Sequence, residues 1–104
     1  MPIEFPAVAS SDMVSALENS AKENGAKYHI GVVQSKDSFY GQHDPESMPV
    51  SYELNQKWEA WVKGGVLCSE MEVSTLLVVG SYRKLRTGAL LVVYGDQNRN
   101  ESLN

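Results

Sequence analysis

The sequence predicts an α/β domain, and three observations carry that expectation. A helix-period run after Ser10 is followed by a β-branched run containing Ile30, Val32 and Val33. A second helix-period run, with Trp58 and Trp61, leads into a short apolar stretch at residues 66–69. Residues 88–94 are almost continuously apolar, as in a strand buried in a parallel sheet. Alternation of helix and strand is how an α/β layer is built.

Along the chain, residues 1–9 hold Pro2 and Pro6 and read as extended or irregular. Ser10, Ser11 or Asp12 caps a helix in which Met13, Leu17 and Ala21 recur every fourth residue. Gly25 stops it. Residues 28–34 read as a strand. Residues 35–49 are polar and turn-rich, with Gly41, Asp44, Pro45 and Pro49, and read as a loop. From Ser51, the residues Leu54, Trp58, Trp61 and Val62 share a helical face that the core is expected to bury, and Gly64-Gly65 ends the run. Residues 66–69 read as a short buried strand. Residues 70–82 fit two descriptions: Val73, Thr75, Val78 and Val79 favour a strand, while length and apolar spacing permit a buried helix. Residues 88–94 are the clearer strand, and residues 96–104 form a loose polar tail.

Composition excludes several classes. The 104 residues, 42% of them hydrophobic, suit one small soluble domain with a thin stability margin. Nine basic against thirteen acidic residues give a net charge of −4, which argues against a general affinity for nucleic acid. The cluster Arg83, Lys84 and Arg86 reads as a solvated helix end. Cys68 is the sole cysteine, so neither an intrachain disulfide nor a cysteine-based zinc site is available. Its apolar approach, Val66-Leu67, marks it as buried and inert rather than nucleophilic. A reducing, cytoplasmic setting fits. The N-terminus lacks a signal-peptide pattern, and the longest apolar runs are too short to span a bilayer.

Chemistry-bearing residues are few. Glu70 and Glu72 stand two apart at the end of an apolar run. On a strand both carboxylates project to one side, at the strand end where open α/β sheets bind ligands. Such a carboxylate accepts hydrogen bonds from two neighbouring hydroxyls, as a ribose diol requires. On spacing alone, acidic residues opening a helix are the commoner explanation. Asp37, His43 and Asp44 form no ligand-spaced set with His29, so no metal site is expected. Ser35 and Ser38 lack the G-x-S-x-G setting of a hydrolase nucleophile, and there is no phosphate-cradling or dinucleotide glycine loop.

Whole strings add what spacing does not. Phe5-Pro6-Ala7-Val8-Ala9, His29-Ile30-Gly31-Val32-Val33, Asp37-Ser38-Phe39-Tyr40-Gly41-Gln42 and Ser69-Glu70-Met71-Glu72 resemble the middle-to-C-terminal part of a uridine phosphorylase subunit, within the nucleoside phosphorylase family. The resemblance runs from about Phe5 to Arg99. It implies residues 1–104 to be one partial nucleoside phosphorylase domain, with a mixed sheet and flanking helices but without the N-terminal half and closing helix. The implied reaction is reversible phosphorolysis of uridine to uracil and ribose 1-phosphate, in pyrimidine nucleoside salvage. No cofactor is implied, inorganic phosphate being the co-substrate, and the full-length protein is expected to be a homo-oligomer.

By the same resemblance, Glu72 and Met71 hold the ribose, with Glu70 in support. Phe39 packs on the base, Gln42 hydrogen-bonds a uracil edge, and Asn98 and Arg99 lie near the base, Arg99 offsetting charge on the leaving uracil. No catalytic residue is assigned. Val73 stands where the family often has a small residue, and His43-Asp44-Pro45 where some uridine phosphorylases carry an arginine. Because phosphate-binding segments are missing, the isolated chain is expected to lack phosphorolytic activity. The alternatives are a phosphorylase with altered base preference and a non-catalytic nucleoside-binding or interaction domain.

Overall fold

The computed structural model describes residues 1–93, 95–96 and 101–102. In chain order these residues form α1 (Ser11–Glu23), β1 (Val33–Ser35), α2 (Phe39–His43), a 3-10 turn (Pro45–Ser47), α3 (Ser51–Lys63), β2 (Cys68–Glu70), α4 (Val73–Tyr82), β3 (Gly95–Asp96) and β4 (Glu101–Ser102). Two compact units result: Met1–Ile30 with Glu72–Leu90, and Gly31–Met71 with Leu91–Asn104.

The first unit is built from α1 and α4, joined through the segment that follows α4. Ser10 caps α1, and its backbone N–H donates to the Thr87 carbonyl at 2.8 Å. The Thr87 N–H donates in turn to Ser10 Oγ at 3.0 Å. Asp12, in the first turn, suits the positive end of the helix dipole and pairs with Arg86 at 2.9 Å. That guanidinium, through its hydrogen bond, holds the Asp12 carboxyl below the usual carboxylate range. Met13 and Leu17, the expected apolar stripe, lie against Gly88: a Cβ there would sit 3.2 Å from Met13 Cβ and 3.4 Å from Leu17 Cδ1.

For residues 70–82 the helix prevails from Val73 onward, despite four β-branched residues. Propensity is a weak prior, and packing overrides it. Leu77 and Gly80, three apart on one helical face, are both buried, and Leu77 is the only apolar side chain more than nine-tenths buried among the described residues. Gly80 is where Thr87 approaches: a Cβ would meet Thr87 Cγ2 at 2.5 Å.

Helices α1, α3 and α4 end alike. The residue after the cap turns left-handed, and two backbone N–H groups fold back onto carbonyls of the last turn. In α1 the donors are Gly25 and Ala26, and in α3 Gly65 and Val66; both glycines have positive φ, +68° and +81°. In α4 the left-handed residue is Lys84, at φ 59°, with Leu85 N–H donating to the Gly80 carbonyl at 2.8 Å. No glycine marks that end.

In the second unit β1 and β2 pair in parallel, with Val33 opposite Cys68, Gln34 opposite Ser69 and Ser35 opposite Glu70. The Leu67 N–H to Val32 carbonyl bond and the Lys36 N–H to Glu70 carbonyl bond extend the pairing at its two ends. The strand expected over residues 28–34 is therefore shorter and shifted toward Ser35. The loop expected over residues 35–49 contains α2 and the 3-10 turn. Ser38 explains α2, because its Oγ accepts from the Gly41 N–H at 3.0 Å and satisfies one open donor of the first turn. Pro45 opens the 3-10 turn where its missing N–H costs nothing. On α3 the i,i+4 pairs Glu53–Lys57 (3.2 Å) and Glu59–Lys63 (2.9 Å) are exposed and contribute a few tenths of a kcal/mol each.

Further expectations are corrected. Residues 88–93 are not a buried strand: among the described residues none pairs with them, and Leu90 and Val92 are 71% and 85% exposed. An apolar run becomes a sheet strand only where a neighbour supplies its backbone partners. In the tail, Gly95 pairs with Ser102 and Asp96 with Glu101, antiparallel. The face of α3 bearing Trp58 and Trp61 is not buried core either, since Trp61 is 39% exposed. No helix among the described residues is long and apolar enough to cross a membrane.

The contact at Gly80 gives a direct test. Gly80→Ala places a methyl against Thr87 and is expected to destabilise the chain by about 1–3 kcal/mol, read from urea unfolding midpoints. Helix propensity alone predicts the opposite sign.

Candidate functional site

The Gly31–Met71 unit brings together the residues to which the sequence points. Side chains alternate along a strand, and the register places Gln34 opposite Ser69. Lys36, two residues beyond Gln34, follows on the same side. Ser69 Oγ accepts from Lys36 Nζ at 3.0 Å and from Gln42 Nε2 at 2.9 Å. The opposite side carries Ser35 and Glu70, where Ser35 Oγ donates to Glu70 Oε1. One short parallel pair thus separates a serine–lysine–glutamine cluster from a serine–carboxylate pair.

Helix α2 supplies Phe39, Gln42 and His43, at the i, i+3 and i+4 spacing that puts them on one side. Gln42 is buried, at 9% exposure, whereas Phe39 is 49% exposed. The His43 ring lies 4.3 Å from the Phe39 ring, centroid to centroid, tilted by 35°. Tyr40 meets Phe39 edge-on at 5.3 Å. Lys36 Nζ stands 5.8 Å from the Phe39 centroid, a cation over an aromatic face. Exposed aromatic surface beside a fixed carboxamide can stack on a planar heterocycle and read its edge.

Partial desolvation shifts three titrating groups of this unit. It lowers the Lys36 pKa, against an opposing pull from the Glu70 carboxylate. It also lowers the His43 pKa, and the nearby Lys36 charge adds to the effect. The Cys68 thiol is pushed up, first by desolvation and then by Glu70, which keeps it protonated and a poor nucleophile. Beside this cluster a cleft of about 250 Å³ is lined by Gln34, Lys36, Gln42, Leu54, Trp58 and Trp61, among others. The tryptophans expected in the core serve as walls of this cleft. Among the described residues no group of three His, Cys, Asp or Glu side chains is arranged to hold a metal ion.

Of the residues implied for the ribose and base, Phe39, Gln42, Glu70 and Met71 fall within this unit. Glu72 belongs to the other unit, as the residue that caps α4. The strand stops at Glu70, and the chain bends at Met71 and Glu72 before α4 begins. Strand alternation therefore does not carry through to Glu72, whose place at a helix start matches the alternative drawn from spacing alone. Asn98 and Arg99 lie outside the described residues. Sequence reasoning missed Ser69 and Lys36, because only the β1–β2 register makes them neighbours.

With this geometry in view, comparison with known proteins defines the class. The phosphorylase superfamily model matches residues 1–103, and the chain belongs to that superfamily. Over 98 residues it is 51% identical to a uridine phosphorylase of Treponema pallidum, an alignment covering 94% of this chain and 38% of that protein. Over 103 residues it is 39% identical to a uridine phosphorylase of Escherichia coli, covering 96% of this chain and 41% of that protein. A guanosine phosphorylase of Halorubrum lacusprofundi is 29% identical over 94 residues, covering 90% of this chain and 34% of that protein. The chain spans about two-fifths of the length of the uridine phosphorylases it matches.

His43 provides the pH test. Its pKa is lowered in the folded chain, so the neutral ring is the form folding favours. The stability this provides is present above the unfolded value near 6.5 and is lost as pH falls through the lower folded value. Urea midpoints are expected to drop between about pH 7 and 5, and His43→Gln to flatten that drop. An equal drop in the variant would remove His43 as its cause.

Proposed function

We propose that this chain carries the ribose and base side of a uridine phosphorylase site. The observation that carries the reading is the 51% identity over 98 residues, a span that on a 104-residue chain necessarily includes residues 39–72. The geometry supports it: Phe39 offers an exposed aromatic face, and Gln42 is held by Ser69 beside it. In the full reaction the glycosidic C–N bond breaks as a phosphate oxygen bonds to C1′. The electron pair leaves on uracil N1, which then gains a proton.

The proposed roles follow. Phe39 packs on the base and Gln42 hydrogen-bonds its edge, an amide being both donor and acceptor. Met71 and Glu72 hold the ribose, the carboxylate accepting from the sugar hydroxyls, and Glu70 supports them. Asn98 and Arg99 complete the base side, Arg99 offsetting charge on the leaving uracil. Inorganic phosphate is co-substrate, and the setting is pyrimidine nucleoside salvage in the cytoplasm, by a homo-oligomer when full length. The 104-residue chain alone binds nucleoside without turning it over.

Two measurements on the purified chain test this. Calorimetric titration is expected to detect uridine binding, weakened about tenfold or more by Gln42→Ala. Uracil release from uridine and phosphate, followed by absorbance, is expected to stay at the uncatalysed level. Absence of uridine binding overturns the site assignment, and phosphate-dependent uracil release overturns the claim that the chain alone is inactive.

A further inference from the structure

The proposed reaction leaves an electron pair on the departing uracil, and Lys36, the cation beside the base residues, has no assigned task. Its Nζ donates to Ser69 Oγ at 3.0 Å and stands 5.8 Å from the centre of the Phe39 ring. Ser69 Oγ also accepts from Gln42 Nε2 at 2.9 Å, so the ammonium and the carboxamide converge on one hydroxyl. Lys36 and Gln42 line the same cleft. The other lysine lining it, Lys57, is exposed and paired with Glu53 at 3.2 Å. An ammonium carries three donors, and Ser69 takes one of them.

Such a cation suits charge that arises during the reaction. As the C–N bond breaks, its electron pair stays on uracil N1 and spreads through the ring onto O2 and O4, until a proton from water neutralises N1. A base packed on Phe39 lies about 3.5–4 Å from its carbons. An ammonium 5.8 Å from the centre of that ring is then within reach of the edge of the base. Partial desolvation strengthens the attraction, because surroundings of low dielectric screen it less than water does. The Glu70 carboxylate opposes the accompanying fall in the Lys36 pKa and so favours the charged form. We propose that Lys36 is a catalytic residue of the uridine site, its ammonium hydrogen-bonding a carbonyl of the base and offsetting the negative charge that spreads over the ring as the glycosidic bond breaks. The role is indifferent to which carbonyl it meets, because both share the charge. It rests on the proposed nucleoside reading and adds a second cation to the role given to Arg99.

The test is calorimetric titration of uridine and of 5-nitrouridine into the 104-residue chain and its Lys36→Met variant, in mildly alkaline buffer. The nitro group acidifies the N3–H, so 5-nitrouridine is an anion there, its charge spread over the same ring and carbonyls. Lys36→Met is expected to weaken 5-nitrouridine about tenfold or more while leaving uridine within about threefold. A merely structural contact would weaken the two ligands equally, and an equal effect, or none, overturns the inference. So does an unaltered chain that binds uridine but not 5-nitrouridine. Either result leaves the functional reading standing, whereas a chain that does not bind uridine overturns both. Should circular dichroism show Lys36→Met unfolded, Lys36→Gln is read by the same criterion, since it keeps a donor for Ser69 and loses the charge.

Discussion

Pairing Val33, Gln34 and Ser35 with Cys68, Ser69 and Glu70 in parallel determines what the Gly31–Met71 unit can present. Because the side-chain period along a strand is two, a slip of one residue would exchange the two faces. Glu70 would then turn toward the Gln42 side and Ser69 away from it. The observed register instead gives Glu70 the Ser35 hydroxyl and gives Ser69 the two donors of Lys36 and Gln42. Everything else in the candidate site hangs on this pairing, since α2 leaves β1 within a few residues and α3 leads back to β2.

Lys36 is the electrostatic centre of that arrangement. It is partly desolvated, pulled on by Glu70, hydrogen-bonded to Ser69, and placed over the Phe39 ring. Its charge in turn helps keep His43 neutral, and a neutral imidazole stacks on Phe39 without adding a second cation. The result is a cluster centred on the Lys36 ammonium, whose desolvation the Glu70 carboxylate opposes from across the strand pair. A cation in such a place is stable only with both hydrogen-bond and charge partners, and it has them.

The other unit depends on a different constraint, the close approach of Thr87. Its backbone closes the start of α1 through Ser10, and its side chain occupies the space that a residue larger than glycine at position 80 would need. With Leu77 as the one apolar side chain more than nine-tenths buried among the described residues, specific contacts of this kind carry an unusual share of the organisation. The exposed apolar side chains at Leu90 and Val92 belong to the same picture of a chain with little deep core.

Local signals in the sequence determined the helices whose ends they mark. Gly25 bounds α1 and Gly64-Gly65 closes α3, because left-handed turns act over a few residues and leave a readable residue type. The whole strings around Phe39 and Glu70 determined the family, which the superfamily match then established. Tertiary structure decided what depends on partners distant in the chain. It made residues 73–82 a helix by burying Leu77 and Gly80, and it left residues 88–93 unpaired where their composition reads as strand. It opened the Trp58 and Trp61 face onto a cleft, and it ended β2 at Glu70, so that Glu72 caps a helix. The sequence by itself supplied Gln42 as a candidate reader of a base edge. Only the register of β1 on β2 set Ser69 and Lys36 against it, because hydrogen bonds between residues 27 and 33 positions apart are created by folding and leave no trace in local composition.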